Sequence, residues 1–193
     1  LPSLFPREKR CLVAATSVDT TFKLRSGYAG EIARIITDTV QLRRGNYLAF
    51  FSSFAYRDEV VSKLPKGGYE LMLQLPGVPP DGLLEKLRRN TDRTCLVCGV
   101  QGGVLSEGVD YPGEMAIGVF VIGPGLPMVN VEQELMRAYF DRTLGAGFEH
   151  AYLLPGLSRA VQAGGRALRS ATDEAFIMLI GRRFGERLYQ LGL

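Results

Sequence analysis

Two short segments of this sequence carry residue types suited to handling phosphate. The first, Gln162-Ala163-Gly164-Gly165-Arg166-Ala167-Leu168-Arg169, sets one glutamine and two arginines among small and apolar positions. On an α-helix, Gln162, Arg166 and Arg169 stand at i, i+4 and i+7 and share one face. A guanidinium is a planar fork that gives two directed, charge-assisted hydrogen bonds, so a pair aimed one way suits a phosphate group. A solvated face on an ordinary helix would show the same charges. Against that reading, glycine inside a helix costs about 1 kcal/mol, and Gly164-Gly165 places two there.

The second segment, Gln101 to Gly113, holds four glycines in thirteen residues, with Ser106, Glu107 and Asp110 among them. Glycines let backbone approach a ligand closely and turn N–H groups toward an anion. Carboxylates between them suit hydroxyls or basic residues better than phosphate itself. An irregular turn between two strands accounts for the composition equally well. Cys95 and Cys98 form a CxxC pattern, but they fall in the strand-like run Cys95 to Val100. There, residues three apart point to opposite faces, about 10 Å apart along the chain, so the two thiols neither bridge nor chelate together. The single His150 excludes a multi-histidine metal site and reads as a surface or cap residue.

Composition sets the frame. The chain has 193 residues, 46% hydrophobic and 22% charged, which suits one globular domain with a real core. A net charge of +3 permits nucleic-acid binding without demanding it. No apolar run reaches the roughly 18–20 residues of a membrane span, so no membrane partner is expected. Three cysteines make no disulfide framework and point to a reducing, cytoplasmic setting. The opening Leu1-Pro2-Ser3, with no initiator Met, reads as the boundary of a fragment.

These segments need elements to position them. Apolar periodicity predicts strands at Cys11 to Thr16, Tyr47 to Phe51, Tyr69 to Leu73, Cys95 to Val100, Ala116 to Ile122 and Glu174 to Ile180. Between them it predicts helices at Tyr28 to Leu42, Phe54 to Leu64 (capped by Ser52 or Ser53), Asp81 to Arg89, Val131 to Leu144 and Ser158 to Leu168, and a last one at the C-terminus. Strands that are nearly continuously apolar and alternate with helices imply a mainly parallel sheet covered on both faces, a three-layer doubly wound α/β fold. Ligand loops in such folds lie at the carboxyl ends of the strands.

Taken together, "GGVLSEGVDYPGE" and "QAGGRALR" resemble motifs V and VI of the XPD/DinG-type superfamily 2 DNA helicases. The "GPGLP" loop between them and "RRGNYLAFFSSF" upstream, similar to the segment around motif IV, fall in the family's order. The resemblance covers roughly residues 18 to 184. It implies the second RecA-like motor domain, a P-loop-type fold without its own P-loop, as a single domain over residues 1–193 that works against a first motor domain elsewhere. ATP with Mg2+ would lie between the two. Arg166 and Arg169 would face the γ-phosphate, one as an arginine finger, with Gln162 beside them. Glu107, Gly108 and Asp110 would contact the nucleotide or those arginines. Ser52, Ser53 and Ser106 would lie on the backbone of single-stranded or forked DNA.

The chain has no G-x-x-x-x-G-K-[ST] and no Asp-Glu-x-His segment. The family places both in the first domain, where some members also carry an iron–sulfur cluster, and this fragment offers no ligands for one. The expectation is that the chain alone does not hydrolyse ATP. Gly181 stands where the family often has an acid before an Arg-Phe pair. The alternative from another class is a non-catalytic α/β module that binds a nucleotide or a protein. A phosphotransferase or reductase on a dinucleotide fold is disfavoured, because no G-x-G-x-x-G follows a strand.

Overall fold

A computed structural model describes residues 9–90, 92–168 and 173–190. Six strands form one sheet: β1 (Arg10–Ala15), β2 (Asn46–Phe51), β3 (Glu70–Leu73), β4 (Cys95–Val100), β5 (Gly118–Ile122) and β6 (Ala175–Ile180). Their spatial order is β1-β6-β5-β2-β4-β3, and every neighbouring pair is parallel. The three central strands β2, β4 and β5 are buried at every position, as near-continuous apolar runs require. Edge strand β1 departs from the expectation of full cover: Leu12 and Val13 are partly exposed although their residue types match the central strands.

Two cores flank the sheet. On one face, α1 (Ala29–Val40) and α2 (Phe54–Val61) bring Ile32, Ile36, Tyr56 and Val60 against Phe51, Cys98 and Phe120. On the other, α3 (Asp81–Arg89) and α6 (Leu154–Gly164) bring Leu84, Leu87, Ala160 and Ala163 against Leu48, Cys95 and Val121. Cys95 and Cys98 thus belong to opposite cores, as strand alternation requires, and all three cysteines are free. Among the described residues, no helix is long and apolar enough to cross a membrane.

The helix expected at Ser158 to Leu168 begins earlier and ends earlier. Helical structure runs over residues 147–164, with a π turn at Glu149–Leu153 leading into α6. Pro155 explains the disguise. Proline has no N–H to donate four residues back, so the Ala151 carbonyl loses its usual partner. The Gln133 amide, from α5 (Val131–Leu144), donates to that carbonyl instead, and a widened turn takes up the ring. Helix α5 buries none of its residues and is fixed to this turn also by the Tyr152 hydroxyl, which donates to Glu134 at 2.6 Å.

At the other end α6 stops at Gly164. One turn of 3-10 helix, Gly165–Ala167, follows, and Leu168 is extended. Gln162 and Arg166 therefore do not continue one α-helical face, and Arg169 lies outside the described residues. Two adjacent glycines weaken the α-helix enough for the tighter turn to take over. Gly164 also has a packing reason: a Cβ there would meet Ile177 of β6 at 3.3 Å, so its absence lets the helix end press onto the sheet.

Candidate functional site

The carboxyl ends of all six strands open on one rim. Chain order places Val18-Asp19 after β1, Ser52-Ser53 after β2, Gln74 after β3, Gln101 after β4, Gly123 after β5 and Gly181-Arg182 after β6. Because β4 lies on one side of β2 and β5 on the other, the β4–β5 connection must cross the end of β2. Gln101 anchors that crossing. Its backbone N–H donates to Phe51 O at 2.8 Å, and its side-chain amide reaches Ile122 O at 3.3 Å and Gly123 O at 2.8 Å. One buried glutamine thus ties together the ends of three strands.

The segment after Gln101 is more ordered than an irregular turn. It contains the short helix α4 (Val104–Glu107), which buries Leu105 under the sheet. The Ser106 hydroxyl donates to Gly103 O at 3.0 Å and accepts from Gly103 N–H at 3.1 Å, with Ser106 itself buried. That hydroxyl closes the turn onto Gly103. Tyr111 is fully buried and donates to Leu105 O at 3.1 Å. Burial pushes its phenol well above the usual range, with the Arg166 guanidinium opposing, so it stays a neutral donor.

Arg166 joins this loop to the end of α6. Its Nη1 donates to Val109 O at 2.9 Å and stands 3.7 Å from Asp110 Oδ1. The arginine side chain is 12% exposed and the carboxylate 72%. The guanidinium is thus sunk against the loop, while the acid faces solvent. Glu107 and Gly108 are exposed on the same loop, and Gln162 is exposed on α6. Ser53 caps α2 by accepting Tyr56 N–H at 3.3 Å, which leaves the exposed Ser52 as the outward hydroxyl after β2.

Several rim residues escaped the sequence reading. Arg159 lies three residues before Gln162 and seven before Arg166, a helical spacing that would have found it. Its Nη1 donates to Gly125 O at 3.2 Å in the "GPGLP" loop. Glu107 Oε1 and Arg159 Nε both flank Gly102, at 3.8 and 3.9 Å from where its Cβ would stand. Arg182 pairs with the buried Asp19 at 3.3 Å, joining the ends of β1 and β6. Hydrogen bonds from Thr21, with help from Arg182, hold that carboxyl below the usual range. Arg25 lies over the rings of Phe22 and Tyr56, at 4.8 and 4.6 Å from their centroids. No local pattern announces the last two contacts, because their partners are distant in sequence or belong to no motif.

Gly181 is explained here. Its φ of +143° is one that side-chain-bearing residues rarely adopt, and a Cβ would stand 2.7 Å from Thr20 Oγ1. An acid at this position would be strained and would collide with Thr20. The Asp19–Arg182 pair occupies the same end of the sheet.

The all-parallel six-stranded sheet with helices on both faces is a RecA-like α/β fold. Residues 36–193 match the family described as Helicase C-terminal domain, and the chain belongs to that family. It is a C-terminal domain of the XPD/DinG type. The ATP-dependent DNA helicase CHL1 of Coccidioides immitis (strain RS) is 28% identical over 214 residues, covering 88% of this chain and 24% of that protein. The putative ATP-dependent DNA helicase DDX11-like protein 8 of Homo sapiens is 27% identical over 181 residues, covering 80% and 20%. The chain therefore spans at most about a quarter of the curated relatives it matches. In fold it resembles an XPD helicase structure with a TM-score of 0.78 at 18% identity, over 95% of this chain and 33% of that one. The Xpd4 structure of S. tokodaii gives 0.71 at 17%, over 96% and 37%.

Proposed function

We propose that this chain is, as a single domain, the second motor domain of an ATP-dependent DNA helicase, and that its rim closes on ATP held by a first motor domain of the same protein. The observation that carries the reading is the Arg166–Val109 bond, which joins the two motif segments into one unit. A phosphate arriving at that guanidinium competes with the Val109 carbonyl, so nucleotide state and loop position are linked. Arg166 and Arg169 supply the positive charge that stabilises phosphoryl transfer, one as the finger. Gln162 and Arg159 stand on the same helix and orient the approach, while Glu107, Gly108 and Asp110 form the loop side of the nucleotide contact. Ser52 and Ser53 hold the backbone of single-stranded or forked DNA, a contact that grips without reading sequence.

The arginines fit a triphosphate chemically: guanidiniums on a loop-and-helix rim are suited to its charge and shape. A metal is a different matter. Among the described residues no group of three or more His, Cys, Asp or Glu is placed to hold one. Mg2+ would be held mainly by the first motor domain, as would any iron–sulfur cluster.

DNA-stimulated ATPase of this domain joined to its first motor domain tests the proposal. Arg166→Ala or Arg169→Ala should lower stimulated turnover by about 10³-fold or more, as loss of an arginine finger does, and this domain alone should show none. Turnover unaffected by both substitutions would transfer the case to a non-catalytic binding module.

A further inference from the structure

The amino-terminal edge of the sheet, opposite the rim, holds a second concentration of charge that the reading above does not use. We propose that Arg44, Arg88 and Arg93 on this edge form a second site for the phosphate backbone of single-stranded nucleic acid. The three arginines come from separate segments: the entry to β2, the last turn of α3 and the entry to β4. They converge on one cavity of about 510 Å³, walled on its far side by Pro112, Glu114 and Met115. All three are exposed, and none has a carboxylate within ion-pair distance among the described residues. Their neighbours behave differently. Arg43 pairs with Glu114, Lys86 with Glu70 and Arg89 with Glu85. The edge thus neutralises much of its charge and leaves three guanidiniums facing one cleft.

The site is preorganised. Asn46, 2% exposed, donates to Leu87 O at 3.0 Å and fixes the end of α3 that carries Arg88. Asn90 donates to Asn46 Oδ1 at 2.7 Å and to Arg93 O at 2.8 Å, and accepts from Arg93 N–H at 3.2 Å. Two asparagines therefore set the backbone of two of the three arginines, which lowers the ordering cost of binding.

Geometry favours nucleic acid over an acidic peptide. The cavity shares Arg44 and Arg93 with a neighbour toward β3, and Ile117 with another toward β1 and β6. The three follow the sheet edge as a trough whose outer parts also carry the carboxylates of Glu70, Asp92 and Glu174; its five interstrand steps span roughly 24 Å, room for several nucleotides. Its apolar lining at Leu87, Met115 and Ile117 is already buried and offers a peptide no anchor. The β4–β5 loop runs from the rim to this trough, since Gln101 ends one side and Pro112 and Glu114 wall the other. A strand held here lies on the same segment that Arg166 tethers.

The ligand class rests on the helicase reading; the site does not share its residues. The test is fluorescence anisotropy of this chain with a labelled oligothymidylate over about 50 to 200 mM salt, comparing wild type, R44Q/R88Q/R93Q and the rim variant S52D. Loss of three phosphate contacts on a single strand should flatten the slope of log K against log salt by about 2. Equal melting temperatures will verify that the triple variant folds, and cross-linking of bromodeoxyuridine oligonucleotide to wild type provides a measurement free of substitution. Cross-links at residues 43–46 and 88–93 support the site. An unchanged slope with cross-links confined to the rim overturns it, as does a polyglutamate peptide that needs the three arginines while the oligonucleotide does not. If S52D has no effect while the triple variant loses binding, this site stands and the rim assignment to DNA fails.

Discussion

Replacing Arg166 with alanine tests the tether between the loop and α6 on this chain by itself, without nucleotide or a second domain. The substitution removes a charge-assisted hydrogen bond of 2.9 Å to Val109 O, on a residue that is 8% exposed. Hydrogen bonds from charged groups contribute about 1.5–3 kcal/mol, and a buried carbonyl left behind bears a desolvation cost. The Asp110 contact adds little: at 3.7 Å, with the carboxylate 72% exposed, it falls among surface pairs that contribute about 0.5 kcal/mol or less. The expected loss is about 2 kcal/mol, which lowers the melting temperature of a domain this size by about 4–8 °C. Urea denaturation followed by circular dichroism measures it, and hydrogen exchange should show faster exchange over residues 101–115 while the α1 side stays protected. Asp110→Asn should change stability by less than about 0.5 kcal/mol. An Arg166→Ala variant within about 0.5 kcal/mol of wild type, with exchange in the loop unaltered, would refute the tether and with it the link between loop position and nucleotide.

Three further outcomes follow from particular contacts. Gly181→Asp, which restores an acid often found in the family, should destabilise the domain by about 1–3 kcal/mol because of its backbone conformation; Thr20→Ala in addition should recover only the part due to the 2.7 Å collision, and a neutral Gly181→Asp by thermal melting would discount the strain. Asp19 has its carboxyl lowered in the folded state, so its stabilisation is present above the ordinary carboxylate range and is lost as pH falls through the folded value. Asp19→Asn should therefore be less stable than wild type at neutral pH, with the gap closing on acidification; parallel denaturation profiles from pH 7 downward would contradict this. Cys11 is exposed, whereas Cys95 and Cys98 are buried and burial pushes the Cys98 thiol up to about 12. Ellman's reagent should modify one thiol in the native chain and all three after denaturation, and a second fast native thiol would count against the strand placement.

Much of the fold was legible because its signals are local. Central strands such as Tyr47-Leu48-Ala49-Phe50-Phe51 must be covered on both faces, and a parallel sheet is the arrangement that covers them. The bounds of α3 and α5 match their sequence-read ranges, one with apolar residues at helical spacing and the other between Asn130, which caps it, and Gly145. Local signals failed where a distant residue supplied the missing partner. The helix expected from Ser158 in fact starts before Pro155, and Gln133 supplies the partner for the Ala151 carbonyl that proline cannot. The burial of Ser106 against Gly103 likewise depends on how the loop folds and has no local signal.

By itself, then, the sequence determined the α/β class, the order of its elements, the two motif segments and the separation of Cys95 from Cys98, since each depends on residue type and period along a few neighbours. Tertiary structure alone decided that Arg166 faces the Val109 carbonyl, that Arg159 takes Gly125 O as its partner, and that Arg44, Arg88 and Arg93 meet in one cleft. The physical reason is the same in each case. A charged side chain takes its role from whatever carbonyl, carboxylate or open cleft the fold brings within about 4 Å, where pairwise electrostatics becomes strong. Most of those neighbours stand dozens of residues away along the chain, as Val109 does from Arg166 and Gly125 from Arg159.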